Sequence, residues 1–209
     1  MTPLQPGARR RPRRLLVINP NTNAEITAQI RLAALEAAPP GTEVEVVNPA
    51  RGPFAIETPR DRAEAAPNVV SLIEARRNEG FDGYVLACFD DIGVEEARGL
   101  VPVPVVSMFG AGVAGARATG GRFAIITTVE SAVAGIERLA AAYGVSYLCT
   151  VQATGVGVAE TAARTPQAEI RLAAAIERAI AEDRAAAIVL GSGALTGRAG
   201  ALAERLGIP

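Results

Sequence analysis

Short apolar runs alternate with helix-patterned segments along the chain, and this alternation constrains the fold more than any other feature. "LLVI" at 15–18 leads into the turn residues "NPNTN" at 19–23, and a helical pattern then runs to Pro39. Comparable runs recur as "TEVEVVNP", "GYVLACF", "VPVPVVSMFG", "RFAIITT", "SYLCTVQAT" and "AAAIVL". Strands that alternate with helices form a parallel sheet with helices on both faces. We therefore predict an α/β protein.

The order of elements occurs twice. "LLVINPNTNAEITAQI" parallels "FAIITTVESAVAGI", with an offset of 108 residues from Leu15 to Phe123. "YVLACFDDIGVEEARGLVPVP" parallels "IVLGSGALTGRAGALAERLGIP", with an offset of 104 residues from Cys88 to Ser192. We predict two similar lobes of Rossmann or flavodoxin type, residues 15–107 and 108–209, related by a pseudo-twofold axis. Ligands of such sheets bind at the carboxyl ends of the strands, so the predicted active site is the cleft between the lobes.

Two helical segments have apolar residues at helical spacing, and we expect these residues to face the core. The first set lies before Pro39-Pro40-Gly41, and its members are Ile26, Ile30, Leu32 and Leu35. The second lies in "PQAEIRLAAAIERAIAEDR", and its members are Ile170, Leu172, Ala173, Ile176 and Ile180.

Composition narrows the class of protein. Hydrophobic residues make up 49% of the chain, charged residues 21%, and the formal net charge is -1. Such a chain is globular, and its charge gives no electrostatic reason to bind nucleic acid or an anionic membrane. No apolar run approaches the roughly 18 residues of a membrane span. Residues 1–14, "MTPLQPGARRRPRR", read as a disordered basic arm.

The two cysteines, Cys88 and Cys149, do not form a disulfide framework, and a reducing cytoplasm fits best. We expect Cys149 to be a buried structural residue because it lies within a predicted strand. The chain contains no histidine and no lysine, so proton transfer at neutral pH falls to Asp, Glu, Tyr and Cys.

Cys88 and Ser192 occupy equivalent strand-to-helix turns and should flank one cleft from opposite sides. Two thiols in that arrangement suit the inversion of a carbon next to a carbonyl, because one thiolate removes the proton and the other thiol returns one on the far face. No cofactor is needed. The thiolate requires a lowered pKa, which we expect a helix N-terminus to supply. Backbone N–H groups there can hold the enolate oxygen.

Other residues at the same strand ends are candidates for substrate contact. They are Asn19, Asn21, Thr22, Phe89, Asp90, Thr127, Thr128, Gly191 and Gly193, and Phe54 in "GPFAIET" is a candidate pocket wall. We expect Asp90 and Asp91 to occupy the first turn of a helix, where the helix dipole favours carboxylates, rather than to bind a metal.

Five ordered stretches carry a family resemblance: "VINPNTN", "GPFAIET", "LACFDDIGVEEAR", "RFAIITTVESAV" and "IVLGSGAL". The chain resembles the aspartate/glutamate/hydantoin racemase superfamily and, within it, the hydantoin and allantoin racemases. The resemblance implies a cofactor-independent isomerase acting on a small molecule, and a homo-oligomer. It also implies that Cys88 is the first catalytic cysteine and that Ser192 stands where the family has its second. The family normally continues with a strand and a helix after the position of Pro209.

Serine at position 192 leaves two explanations open. It is an engineered Cys→Ser replacement that traps a ligand, or it is native. A serine hydroxyl is too weak an acid to serve as a resting base here. The sequence therefore predicts a racemase of hydantoin-like cyclic amides or related α-carbonyl compounds. The alternatives are a one-thiol decarboxylase of arylmalonate type and a non-catalytic binding protein on the same scaffold.

Overall fold

The computed structural model describes residues 11–209, which form seven strands and eight helices. The strands are β1 Arg13–Ile18, β2 Thr42–Val47, β3 Gly83–Leu86, β4 Val105–Ser107, β5 Phe123–Thr127, β6 Cys149–Ala153 and β7 Ala187–Leu190. The helices are α1 Ala24–Ala37, α2 Pro59–Arg76, α3 Val94–Leu100, α4 Met108–Ala118, α5 Glu130–Ala142, α6 Val158–Ala162, α7 Pro166–Ala181 and α8 Ala199–Leu206. None of these helices is long and apolar enough to cross a membrane.

Both sheets are parallel, and the second repeats the strand order of the first. The order is β2-β1-β3-β4 in one sheet and β6-β5-β7 in the other. The repeat extends to single hydrogen bonds. The Ala87 N–H donates to the Ile18 carbonyl at 2.8 Å, and the Gly191 N–H donates to the Ile126 carbonyl at 2.8 Å. The predicted α/β class, with two lobes built on parallel sheets, is confirmed.

Local sequence signals determine where several helices begin. The Asn23 side chain accepts from the N–H groups of Glu25 and Ile26, so α1 starts directly after the turn that follows β1. Thr58 and Asp61 form a reciprocal capping box at α2, and Pro59 takes the first helical position. These caps fix where the chain leaves each strand end and turns back.

The segment between β3 and α3 differs from the prediction. The helix begins only at Val94, after Gly93 in a left-handed conformation with φ 75°. Asp90 and Asp91 therefore lie in a turn before the helix. Our expectation that they occupy the first turn of the helix is wrong. Asp91 itself has φ 53°, which a short polar side chain tolerates better than a branched one. We call residues 87–93 the Cys88 turn.

Some residues predicted to face the core lie in solvent instead. Leu32 is 71% exposed, Leu35 is 53% exposed and Ile170 is 64% exposed. The inward faces of α1 and α7 rely partly on small residues that periodicity of large side chains does not detect. In α7 the buried small residues are Ala168, Ala175 and Ala179, which lie beside the predicted Leu172 and Ile176.

One buried cluster joins the lobes, since Val17 and Ile26 pack with Val158 and Ala194, and α4 packs with the second lobe. Phe109, Val113 and Ala116 of α4 pack with Phe123 and Ile125 of β5. The chain thus changes lobes directly after β4. At the other boundary, β1 begins at Arg13, so the last two residues of the predicted basic arm are strand. Residues 1–10 of that arm lie outside the described residues.

Candidate active site

A small cavity lies between the lobes at the carboxyl ends of the strands. Its volume is about 40 Å³, which is room for a few water molecules. Both lobes contribute to its lining, which comprises Asn19, Pro20, Asn21, Ile56, Ala87, Cys88, Phe89, Asp90, Thr127, Thr128, Val129, Ala132, Val158, Gly191, Ser192, Gly193 and Ala194. Eight of the ten predicted substrate-binding residues and both predicted catalytic residues border this one space.

Cys88 and Ser192 reach the cavity by equivalent routes. Cys88 follows the last residue of β3 by two positions, and Ser192 follows the last residue of β7 by two positions. Each strand end is tied to the central strand of its own sheet by the 2.8 Å bond described above. The backbone therefore delivers one side chain from each lobe to the same cavity. We call residues 191–197 the Ser192 turn.

The Cys88 thiol is protonated at neutral pH. Burial, followed by the charge of the Asp90 carboxylate, raises the pKa of Cys88 to about 12, although the Asp90 N–H donates to the sulfur and opposes the shift. Our expectation that a helix N-terminus lowers this pKa is wrong. The helix starts six residues later, at Val94, and the nearest charge is the carboxylate.

Asp90 is held by one cation. Its Oδ2 accepts from Nε of Arg62 at 3.1 Å, and the two side chains are 13% and 21% exposed. Burial nevertheless raises the pKa of Asp90, and Arg62 offsets part of that effect. Nη2 of Arg62 is buried and has no hydrogen-bond partner among the described residues. Asp90, paired with Arg62, therefore lies beside the thiol at one edge of the cavity.

The hydroxyl of Ser192 contacts a backbone group of its own turn. Its Oγ accepts from the Ala194 N–H at 3.3 Å. Gly191 precedes Ser192, and a larger residue does not fit at position 191, because a Cβ there would lie 2.7 Å from Cγ2 of Ile125. Gly193 has more room, since a Cβ at that position would lie 3.6 Å from its nearest neighbours. The Gly193 N–H donates to no other described residue and is open to a ligand oxygen.

Polar groups of both lobes can bind a ligand carbonyl or N–H. Asn19 is engaged internally, since its Nδ2 donates to Oδ1 of Asn21 at 2.9 Å and to Oγ1 of Thr27 at 3.0 Å. These contacts orient Asn21, whose own Nδ2 donates to no other described residue. The hydroxyls of Thr127 and Thr128 likewise form no hydrogen bond with the described part of the chain. Asn21, Thr127 and Thr128 are thus available to a ligand.

Two predicted residues do not border the cavity. Phe54 is 59% exposed, and its neighbour Ile56 forms the wall instead. Thr22 donates its hydroxyl to the Pro53 carbonyl at 3.3 Å and so anchors that segment rather than a ligand. The predicted set lacked several wall residues, namely Pro20, Ala87, Val129, Ala132, Val158 and Ala194. Val158 lies on α6, a helix of five residues that has no periodic signal.

Residues 52–58, which we call the strap, connect the lobes across the cavity. Glu57 joins them to the second lobe: its Oε1 accepts from the Val158 N–H at 2.7 Å, and its carbonyl accepts from the Ser131 hydroxyl. Ile56, next to it, is held against the cavity. The strap therefore closes one side of the site.

Comparison with known proteins agrees with this geometry. Residues 15–209 match the family model described as Asp/Glu/Hydantoin racemase. The chain is 37% identical over 194 residues to a hydantoin racemase of Rhizobium meliloti, a match that covers 92% of this chain and 80% of the relative. The structure resembles an allantoin racemase from Klebsiella pneumoniae with TM-score 0.91 and 36% identity, covering 94% and 81% of the two chains.

A more distant neighbour shares the fold alone. Arylmalonate decarboxylase has TM-score 0.64 and 19% identity, with 94% of this chain and 85% of that chain covered. The family model spans nearly all described residues, and the hydantoin racemase relative matches most of its own length. The chain therefore belongs to the Asp/Glu/hydantoin racemase family.

Proposed function

We propose that this protein is a cofactor-independent racemase-type enzyme whose substrate is a hydantoin-like cyclic amide. The observation that carries the proposal is that Cys88 and Ser192 border one cavity from equivalent strand ends of two lobes. A carbon atom between them would present one face to each residue. The hydantoin and allantoin racemases among its relatives support this substrate class.

Cys88 would be the acid/base group on its face of the substrate. As a thiolate it removes the proton next to the carbonyl, and as a thiol it returns one. The negative charge that develops on the carbonyl oxygen would be stabilised by donors at the strand ends, among them the Gly193 N–H, Nδ2 of Asn21 and the hydroxyls of Thr127 and Thr128. The ring amide supplies further donors and acceptors for the same polar groups.

Ser192 would limit the reaction to one face. Its hydroxyl can donate a hydrogen bond, but it does not take up a proton from carbon without a base, and the chain has no histidine or lysine. Proton removal and return at Cys88 alone exchanges the α-hydrogen with solvent and retains configuration. A sulfur at position 192 would complete the second face and allow inversion.

The test is hydrogen exchange at the α-carbon in D₂O, measured by NMR with each enantiomer of 5-substituted hydantoins and of allantoin. We expect the chain to exchange one enantiomer without inverting it, Cys88→Ala to exchange neither, and Ser192→Cys to interconvert both. Absence of exchange in both the chain and Ser192→Cys would contradict the proposal. Loss of CO₂ from a disubstituted malonate, abolished by Cys88→Ala, would instead identify a one-thiol decarboxylase.

A further inference from the structure

A buried arginine lies behind the Ser192 turn. Arg198 is 3% exposed and is the only buried charged residue within residues 11–209. Taking a guanidinium out of water is costly unless its N–H groups are fully paired, so such a residue is retained only where its contacts are extensive. Arg198 does not border the cavity, and the proposed chemistry does not use it.

Its contacts join three separate segments. Nη1 donates to the Ala194 carbonyl at 2.6 Å, and Nη2 donates to the Thr161 carbonyl at 2.5 Å. Nε donates to Oε1 of Glu169 at 3.0 Å. The three partners belong to the Ser192 turn, to α6 and to α7. The planar fork of a guanidinium can hold such divergent acceptors in fixed geometry, whereas a lysine ammonium cannot.

Two of these segments form walls of the cavity. Ala194 borders it, and the Ala194 N–H donates to Oγ of Ser192 at 3.3 Å. Both backbone groups of Ala194 are therefore engaged, one by the side chain at position 192 and one by Arg198. On α6, Thr161 accepts from Arg198 near the end of the helix, while Val158 at its start borders the cavity. Arg198 thus sets the distance between the Ser192 turn and α6.

We propose that Arg198 is a positioning residue of the second half of the site: it fixes the Ser192 turn so that the side chain at position 192 and the Gly193 N–H face the substrate. The effect of Arg198 on catalysis rests on the proposed function, whereas its effect on the Ser192 turn does not. The effect of Arg198 should fall on only one face of the substrate, because none of its hydrogen bonds reaches the Cys88 turn. That asymmetry distinguishes positioning from a general contribution to stability.

The first test does not depend on activity. In the Ser192→Cys background, the two cavity thiols are alkylated with a bulky neutral maleimide and quantified separately by peptide mass spectrometry. We expect Arg198→Met to raise the alkylation rate at position 192 by about tenfold, because the released turn exposes its side chain, and to leave Cys88 within about twofold. Arg198→Lys should give an intermediate rate at position 192.

Arg76→Met is the matched control. Arg76 pairs with Glu45 and Glu79 in the first lobe, away from the cavity, and its loss should leave both rates unchanged at comparable loss of thermal stability. Equal acceleration of both thiols by Arg198→Met, or no acceleration at position 192, would overturn the inference. The conservative Arg198→Lys variant serves if Arg198→Met does not fold.

The second test measures the two faces of the reaction. In the Ser192→Cys background, Arg198→Met should slow α-hydrogen exchange of the enantiomer that presents its hydrogen to position 192 by about 10- to 100-fold, because misplacement of a reacting group has effects of that size. Exchange of the other enantiomer should stay within about twofold. Equal slowing of both would show a purely structural role. If Ser192→Cys exchanges neither enantiomer, the proposed function fails, and the alkylation test alone decides the role of Arg198.

Discussion

In the reaction that we propose, the protonation state of Cys88 sets the rate of proton removal. A pKa of about 12 means that the thiolate is a minor species at neutral pH, and its fraction falls about tenfold for each unit by which the pH lies below the pKa. The causes are burial first and the Asp90 carboxylate second. A bound substrate that presents N–H donors to the sulfur would favour the thiolate, so ligand and base would be activated together.

The reactivity of Cys88 should therefore depend on pH and on Asp90. We expect the alkylation rate of Cys88 by iodoacetamide to rise continuously from about pH 7 to pH 10, without the plateau of an ordinary thiol of pKa about 8.5. Asp90→Asn removes a negative charge that raises the pKa of Cys88, so the rate at any pH in this range should increase. Cys149, followed as a separate peptide, is the internal control. A plateau near pH 9 in the unaltered chain would contradict the raised pKa.

Among the secondary-structure elements, one strand of its own sheet and one helix of the second lobe hold the Cys88 turn in place. Asp91 accepts from the hydroxyl of Ser107, at the end of β4, and from the hydroxyl of Tyr143, at the end of α5, at 2.9 Å for Oδ2. Tyr143 also packs edge-to-face on Phe109 of α4. The left-handed conformation of Asp91 is thus supported by both lobes, and the turn that carries the thiol depends on α5.

Removal of the Tyr143 hydroxyl tests this support. We expect Tyr143→Phe to lower the free energy of unfolding by about 1 to 2 kcal/mol, because the carboxylate of Asp91 loses a donor. Tyr147→Phe is the matched control: Tyr147 is 69% exposed, and its change should stay within about 0.5 kcal/mol. Both values come from urea unfolding followed by circular dichroism. Equal effects of the two substitutions would show that the Asp91 contact contributes nothing.

The helices, the strands and much of the cavity lining could be predicted from the sequence, because they depend on local signals and on the internal repeat. Apolar runs marked the strands, and the offset from Cys88 to Ser192 placed both residues at one cleft. Contacts between distant segments were not predictable in this way. The approach of Val158 to the cavity follows from packing of a five-residue helix, and the raised pKa of Cys88 follows from burial that no local pattern encodes.

At the scale of the whole molecule, the site exists only while the two lobes keep their relative position. Both lobes provide polar groups, and the strap bonds to both sides of the cavity, to Thr22 through Pro53 and to Val158 through Glu57. A cavity of about 40 Å³ has room for a few water molecules, so we expect one wall to move when the proposed substrate binds. The strap is a candidate for this movement, since Phe54 is exposed and Glu57 holds the strap to the second lobe through single hydrogen bonds.

Weakening the strap should open the cavity. We expect Glu57→Ala to raise the rate at which a neutral maleimide alkylates Cys88 by about tenfold at constant pH. The substitution removes the charge-assisted hydrogen bond from the Val158 N–H. Such a bond contributes roughly 1.5 kcal/mol, which corresponds to about a tenfold change in the equilibrium between the closed and open strap. Glu64→Ala, at an exposed position of α2, is the control and should have no effect. Equal rates for the two variants would place the entrance elsewhere.

The exposure of α8 affects how fast different parts of the second lobe exchange their amide hydrogens. No residue of α8 is buried, so this helix should lose and regain its backbone hydrogen bonds quickly, and its amide protons should be replaced by solvent deuterium early. Arg198 lies immediately before α8 and is anchored on three sides. Local unfolding that starts in α8 should therefore stop at Arg198, and the Leu195 N–H, which donates to the Ser192 carbonyl at 3.0 Å, should remain protected long after the amides of residues 199–206 have exchanged.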